Sequence, residues 1–344
     1  MSQTDGTPVV IGFDTSNYRT SVAAVTLDGE ILVNHRELLP VSSGERGLRQ
    51  SDAVFAHIRQ LRNSEEALRE KLKGTRIAAV AASTKPRDGE ESYMPVFQVG
   101  HTAGSMMAAA LGVPFYETTH QRGHLAAALA GTKLEDSEKI LAVHLSGGTT
   151  DLLVMDAESV TQIGGSVDLH AGQLVDRAGV AMGLPFPSGE ELEKLAVKGK
   201  SQALLGVSLE NGDLTCHLSG AETKVQQWIR EGSMAREDIA REIYDLLART
   251  LVRMLKAGAE KSGCREALVT GGVAASALLR ELMAERKAKT RGCPEIVFGR
   301  LEMSGDNAVG VALIGVQRLM KTEDLKLKNV LGWQFGVNRF ACDE

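Results

Sequence analysis

Cysteine is scarce in this chain, and its four residues, Cys216, Cys264, Cys293 and Cys342, are scattered without a CxxC pair. That argues against a disulfide framework and reads as structural thiols in a reducing, cytoplasmic setting. No apolar run approaches the length of a membrane span, so a membrane partner is not expected. The first eight residues are polar and lack an apolar core, unlike a secretory leader. An excess of positive charge is also missing. The net charge is -5 and the pI about 6.0, so no overall basic field advertises nucleic acid. The run around Arg286, Lys287, Lys289 and Arg291 reads as a solvated helix end. Finally, no HExxH is present, because positions 121 and 122 are Gln and Arg, which removes the zinc-protease reading.

What is present is glycine, 36 residues, most of them at the ends of predicted strands. That pattern suits backbone loops that approach a ligand. With 344 residues and 43% hydrophobic content, the chain can bury a large core, best arranged as two lobes. Val9–Phe13 reads as a buried strand, followed by the polar turn Asp14-Thr15-Ser16-Asn17. Strands follow at Ser21–Leu27 and Ile31–Val33, joined by Asp28-Gly29. Helical patterns occupy about Ser51–Arg62, Ser64–Lys73 and Val99–Leu111, with a strand at Ile77–Ala82 and an irregular stretch from Lys85 to Pro95. The same grammar restarts later. Ile140–Leu145 is a strand, Ser146-Gly147-Gly148-Thr149-Thr150 a tight turn, and Asp151–Met155 the returning strand. Two strand–turn–strand units with Gly/Ser/Thr turns read as an internal duplication. The backbone N–H groups of such turns can hold anionic oxygens, although each alone is also an ordinary hairpin. A helical segment without clear strands is expected at about 167–235. A long helix is expected over Glu237–Lys261, and a strand at 267–270 feeds Gly271-Gly272. A helix over 275–286 and a strand at Glu295–Phe298 follow. The last helix is expected from near Asp306 to about Met320.

His120 and His124 stand four apart where a helix begins. On a helix, i and i+4 share a face, so both rings can converge on one metal ion, and Asp306 from a distant segment can complete an open three-ligand site. The bland reading of each histidine is a packing or surface residue. Gly271 and Gly272 after a strand mark either a tight turn or a close backbone approach to a ligand. Ser219 is equally a helix N-cap. His144 and His170, taken singly, are more simply structural.

Several motifs, in order, resemble the TsaD family, which makes threonylcarbamoyladenosine in tRNA. Its HxEGH motif corresponds to His120-Gln121-Arg122-Gly123-His124. SGGHT corresponds to Ser146–Thr150. GEAFDK corresponds to Gly172–Arg177, and the LGLPYPGG stretch to Gly183–Gly189. FSGLKT corresponds to Leu218–Thr223, AGGVAAN to Thr270–Ser276, and TDNA to Gly305–Ala308. The resemblance implies the two-lobed actin-like ATPase (ASKHA) α/β fold, with a helical insertion in the second lobe. The first lobe is then 1–135 plus 304–344, and the second 136–303. The resemblance also implies one zinc or iron ion on His120, His124 and Asp306. Adenine nucleotide or threonylcarbamoyl-adenylate is implied at His144, Leu145, Ser146, Gly147, Gly148, Thr149, Thr150, Asp176, Gly189, Gly271, Gly272 and Ser276. Within that set, Asp176 accepts from a ribose hydroxyl and Gly189 lends its backbone to the ribose.

The departures are as informative. The acidic pair of the family's first loop is replaced by Tyr18 and Arg19. The Glu of HxEGH is Arg122, and the His of SGGHT is Thr149. The glycine-rich TAGPGL stretch is the longer, charged Lys85–Glu91. Metal ligands and nucleotide glycines are kept, whereas groups tied to acyl transfer are not. Tyr18, Arg19 and Arg122 are therefore the candidate catalytic newcomers, with the two arginines either solvated or facing phosphate. On this basis the expected activity is cleavage of threonylcarbamoyl-adenylate or a related adenine nucleotide. Transfer to tRNA with a partner protein of the pathway is the alternative, and a non-catalytic nucleotide-binding partner is a third. Independent tRNA binding is expected to be weak.

Overall fold

In this computed structural model the described residues are 6–16, 18–40, 48–89, 91–135, 137–156, 159–300, 303 and 308–336, the last fourteen by backbone alone. The chain divides into two units, the first made of Met1–Ala127 with Asp306–Glu344 and the second of Ala128–Gly305.

The first unit is built on a five-stranded sheet, order β3-β2-β1-β4-β5. Its strands are β1 (Thr7–Thr15), β2 (Arg19–Thr26), β3 (Ile31–Leu38), β4 (Thr75–Lys85) and β5 (Phe115–Thr119). β1 to β3 form an antiparallel meander, and β4 and β5 add in parallel to β1. β1 is buried along seven consecutive residues, which is why it reads as an unbroken apolar run rather than an alternating one. Gly29, at φ 90°, makes the β2–β3 turn. Helices α1 (Gln50–Leu61), α2 (Ser64–Lys71) and α3 (Phe97–Leu111) flank the sheet. The other helices of this unit are α4 (His120–Leu129), which runs into the second unit, and α10 (Val309–Gly336). α10 packs closely on β1 and on α4: a Cβ on Gly12 would lie 2.5 Å from the Ala308 carbonyl oxygen, and one on Gly310 would lie 1.8 Å from that of Gly123.

The second unit repeats the plan. β6 (Lys139–Leu145), β7 (Thr150–Asp156) and β8 (Val160–Ser166) are the antiparallel meander, and β11 (Glu266–Thr270) and β12 (Glu295–Phe298) add in parallel. The order β8-β7-β6-β11-β12 matches β3-β2-β1-β4-β5 strand for strand, so the duplication extends from the hairpin to five strands of each sheet. Between β8 and β11 lie α5 (Ala171–Ala181), α6 (Gly189–Ala196), α7 (Ser219–Glu231) and α8 (Arg236–Ser262). α8 starts with Glu237 and Asp238, ends with Lys261, and stops at Gly263 with φ 74°. Acid at the N-terminus, base at the C-terminus and a left-handed glycine all favour that helix over those bounds. Its long buried face, including Ile243, Leu247, Leu251 and Leu255, packs into the core with Leu141, Leu152 and Leu174. Each such side chain contributes roughly 1.5–3 kcal/mol by leaving water. After β11 come a 3₁₀ turn, Val273–Ala275, and α9 (Ala277–Ala288).

Three departures from the sequence expectations concern short or polar segments. The region 167–235 is not free of strands. β9 (Leu209–Glu210) and β10 (Thr215–Cys216) extend the second sheet beyond β8. Two-residue strands carry no periodicity, so only pairing with β8 reveals them. β5 and β8 likewise escape the pattern. The last helix runs to Gly336, well past Met320, through a polar stretch where the apolar period fades. Asp306, where that helix was expected to begin, lies outside the described residues.

Candidate functional site

In the first unit the parallel strands β1 and β5 end on the same sheet edge, one delivering Asp14 and the other leading into His120 at the start of α4. The two carboxylate oxygens of Asp14 lie 2.9 and 3.0 Å from His120 Nδ1. Ser83 Oγ donates to the same carboxylate at 2.5 Å. Asp14 is 1% exposed, and a carboxylate so buried is tolerable because it is paired. An acceptor on Nδ1 places the ring proton there and leaves the Nε2 lone pair outward. His124 Nε2 lies 3.0 Å from His120 Nε2, the rings edge to face. Two imidazole nitrogens at that spacing have the separation that adjacent ligands of one metal ion, bound at about 2.0–2.1 Å, would need. Among the described residues no cluster of three His, Cys, Asp or Glu forms. The donor pair therefore fits a zinc or iron site that needs a further ligand, and Asp306 lies outside the described residues. Asp14, whose carboxylate orients His120, was not singled out from sequence. Its only local signal is an acid at the end of a buried strand.

A second polar chain supports the same loop from below. His57 on α1 is fully buried, with Nε2 2.8 Å from the Ser16 carbonyl and Nδ1 2.7 Å from Thr20 Oγ1. Thr20 also donates to Gln60 Oε1 at 2.6 Å, and Gln60 Nε2 donates to the Leu38 carbonyl at 2.7 Å. Burial lowers the His57 pKa, against the opposing pull of the Ser16 carbonyl and the Asp14 charge.

The three newcomers are placed differently from one another. Tyr18 is 65% exposed beside this loop, and Arg19 opens β2 half-buried. Arg122 turns inward, its side chain 8% exposed, with Nε donating to Asp88 at 3.0 Å. Asp88 belongs to the Lys85–Glu91 stretch, so the basic residue of the helix and the acid of the charged loop neutralise each other. The same loop is tied again where the Gln121 N–H donates to the Pro86 carbonyl at 3.0 Å.

In the second unit the Ser146–Thr150 turn is closed by its own side chains. The Ser146 N–H donates to the Thr149 carbonyl at 2.9 Å, and the two hydroxyls lie 2.7 Å apart. Thr149 Oγ1 lies 3.3 Å from His144 Nδ1, so Thr149 and His144 form one polar pair. Thr150 Oγ1 accepts from the Ala171 N–H at 2.8 Å, and the Gly172 N–H donates to the Ser146 carbonyl at 3.2 Å. The turn thereby anchors the start of α5. Gly147 and Gly148 face open space. Gly271 has φ 101°, and a Cβ there would lie 2.2 Å from the Leu145 carbonyl oxygen, so β11 is held against the end of β6 by a position only glycine can take. Gly272 faces open space, and Ser276 Oγ caps α9 by accepting from the Leu279 N–H at 3.1 Å.

The remaining residues gather around Tyr244. Its hydroxyl donates to the Gly189 carbonyl at 3.0 Å. Burial foremost, then the Glu193 charge, raises its pKa, with Asp176 adding to the rise and the Ser276 hydrogen bond opposing it. Glu193 accepts from the Leu278 N–H at 2.8 Å, and Asp176 accepts from the Ser188 N–H at 2.8 Å. Asp176, Gly189 and Ser276, far apart in sequence, are thus joined through Tyr244, which sequence reading missed because a tyrosine inside a long amphipathic helix looks like core. Ser219 is held by Asp168, which accepts from its side chain at 2.5 Å and from the backbone N–H groups of Leu218, Leu169 and Ser219. Burial pushes that carboxyl up, but these donors outweigh it and hold the pKa down at about 2. Cys216 and Cys264 are buried free thiols, and burial pushes Cys216 up to about 11, consistent with packing roles.

Two like sheets with Gly/Ser/Thr turns define the class. Solved structures with the same architecture include the HypF protein of T. kodakarensis, with TM-score 0.60, 15% identity, and coverage of 92% of this chain and 48% of that one. This chain spans about half the length of the HypF chains it matches. The ROK hexokinase from Thermus thermophilus gives TM-score 0.51 and 17% identity, over 89% of this chain and 97% of that one. The fold is the two-unit, actin-like ATPase kind. Within it, a family model described as TsaD, tRNA N6-adenosine threonylcarbamoyltransferase, matches residues 49–322. A tRNA N6-adenosine threonylcarbamoyltransferase of Methanopyrus kandleri is 30% identical over 315 residues, 90% of this chain and 87% of that protein. The chain belongs to the TsaD family. No helix among the described residues is long and apolar enough to cross a membrane.

Proposed function

We propose that this chain binds threonylcarbamoyl-adenylate and passes the threonylcarbamoyl group to an adenosine of tRNA. The observation that carries this reading is the family match across residues 49–322, and the curated relatives' names support transfer ahead of the simple cleavage favoured by the substitutions alone. In the step, the bond between the carbamoyl carbon and the phosphate oxygen breaks as the adenosine N6 bonds to that carbon. AMP leaves, and N6 gives up one proton.

The uncrowded turns at Gly147, Gly148 and Gly272 leave room for phosphate oxygens, although the Gly148 N–H is held by Ser146 Oγ at 3.1 Å, and the cluster of Asp176, Gly189, Tyr244 and Ser276 suits the ribose and adenine. His120, His124 and Asp306 would hold a divalent zinc or iron ion, which when bound polarises an oxygen of the ligand. Asp14 then keeps His120 in the tautomer that can ligate, while the loop tied by Arg122 and Asp88 keeps α4 in place. A partner protein of the same pathway is compatible with this scheme.

Cleavage of the adenylate by water is the second reading. It is favoured by exposed Tyr18 and half-buried Arg19 at the positions where the family carries two acids. Incubation with threonylcarbamoyl-adenylate, with and without tRNA, followed by chromatography, separates the two. Modified tRNA supports transfer, AMP released without tRNA supports cleavage, and unaltered adenylate in both samples defeats both.

A further inference from the structure

The four basic residues that read from sequence as one solvated helix end belong to a larger surface. On α8, Arg249, Arg253 and Lys256 recur at i, i+4 and i+7 and so share a face. Arg249 and Arg253 line one open depression of about 380 Å³ together with Arg286 at the end of α9 and Thr290 beyond it. The following segment returns to the same face, since a Cβ on Gly292 would lie 3.6 Å from Lys256 Cε. Lys287, Lys289 and Arg291 extend the surface further.

The acids of this region lie mostly beneath or beside the cations. Asp245, 4% exposed, is shared by Arg249 at 2.8 Å and Arg286 at 2.7 Å. Asp213 accepts from Arg253 Nη2 at 2.9 Å and from its Nε at 3.1 Å. Glu260 lies 3.7 Å from Lys256, and Glu295 is shared by Lys287 and Lys133. Lys289 and Arg291 are exposed and have no carboxylate within ion-pair distance among the described residues. With Lys133 included, eight cations meet five carboxylates, Glu285 being the fifth, in a chain whose net charge is -5. The residues of this surface are thus more basic than the chain as a whole.

We propose that this α8–α9 surface of the second unit contacts the phosphate backbone of an RNA. The cations are spread rather than gathered around one point. The three on α8 alone span about 10 Å along the helix axis, which suits successive phosphates of a strand better than a single small anion. Contacts of this type position a polyanion without reading its sequence. The choice of tRNA as probe rests on the transferase reading above, whereas the surface itself does not.

The test is a fluorescence-anisotropy titration of labelled tRNA against the full chain over a range of salt. The variant is Lys289→Glu with Arg291→Glu, since neither residue holds a buried partner. The control is Lys71→Glu with Lys73→Glu on exposed positions of the first unit, an equal charge change on another surface. The α9 variant should lose about tenfold in affinity and shed about one to two units of the slope of log affinity against log salt. The control should stay near the parent, and unfolding temperatures should match for all three. Equal affinities and slopes for the two variants would overturn the proposal, as would absence of tRNA binding by the parent at low salt. Transfer measured separately at saturating tRNA distinguishes the two readings. Loss of transfer with a patch-dependent binding slope sinks the transferase alone, and transfer with patch-independent binding sinks the surface alone.

Discussion

The same strand–turn–strand unit occurs twice, and the two copies secure their turns by different means. In the first unit the Asp14–Thr20 loop depends on side chains of distant elements, Ser83 and His57 through buried polar contacts and His120 through a part-buried one. In the second unit the Ser146–Thr150 loop closes on itself and on the start of α5, chiefly through hydroxyls and backbone groups. One loop is an orienting device for an imidazole, which needs a fixed charge. The other packs nothing over Gly147 and Gly148, which needs glycine and small side chains. Duplication supplied the frame twice, and side-chain chemistry then divided the labour.

The largest effect on this comparison is expected from backbone space. Gly271→Ala forces a Cβ against the Leu145 carbonyl at a φ of 101° and should destabilise the second unit by about 3–5 kcal/mol in urea unfolding. Gly272→Ala and Gly147→Ala, with open space, should each cost less than about 1 kcal/mol. Similar losses at all three would show that the second loop is not held by close approach.

Next comes the charge of the first loop. Asp14→Asn should weaken zinc or iron binding about 10–100-fold in a competition titration, because the partner that orients His120 loses its charge. Asp176→Asn in the second unit should leave metal affinity unchanged. If the two variants behave alike, the division of labour between the units is wrong.

A smaller loss is expected at the loop clamp. Asp88→Ala strands the Arg122 guanidinium in the interior, at about 2–3 kcal/mol, below the fully buried range because Asp88 is 26% exposed. Replacing both, Asp88→Ala with Arg122→Met, should recover much of that loss in the same unfolding assay.

The smallest effect is in pH dependence, where the units should respond in separate windows. His57 has a lowered folded pKa, so the unfolded chain binds its proton first. Its stabilising contribution is complete above pH 6.5 and is lost as pH falls below that value. Asp168, held at about 2, contributes fully above its ordinary value of 3.8 and loses that contribution only as pH falls from there towards 2. Amide exchange at stepped pH should show β1–β2 loosening before the start of α7, and His57→Gln should remove the first step only.

The sequence by itself determined the two-unit α/β plan and its duplication, because buried strands, glycine turns and amphipathic helices are local patterns with fixed periods. It also brought the candidate residues to notice as ordered motifs, since His120 and His124 share a helix face by spacing alone. Tertiary structure decided which of these residues act together. Asp14 meets His120 only because parallel β1 and β5 end on one edge, and no spacing of 106 positions encodes that. Arg122 reads as a newcomer to the site until the fold sets Asp88 against it, and Tyr244 reads as core until its hydroxyl reaches Gly189. The basic residues of α8 and α9 look like separate solvated faces until packing sets them on one surface. Periodicity is a property of neighbours along the chain, whereas convergence of charge and hydrogen bonds is a property of chain crossings, which only the packed structure specifies.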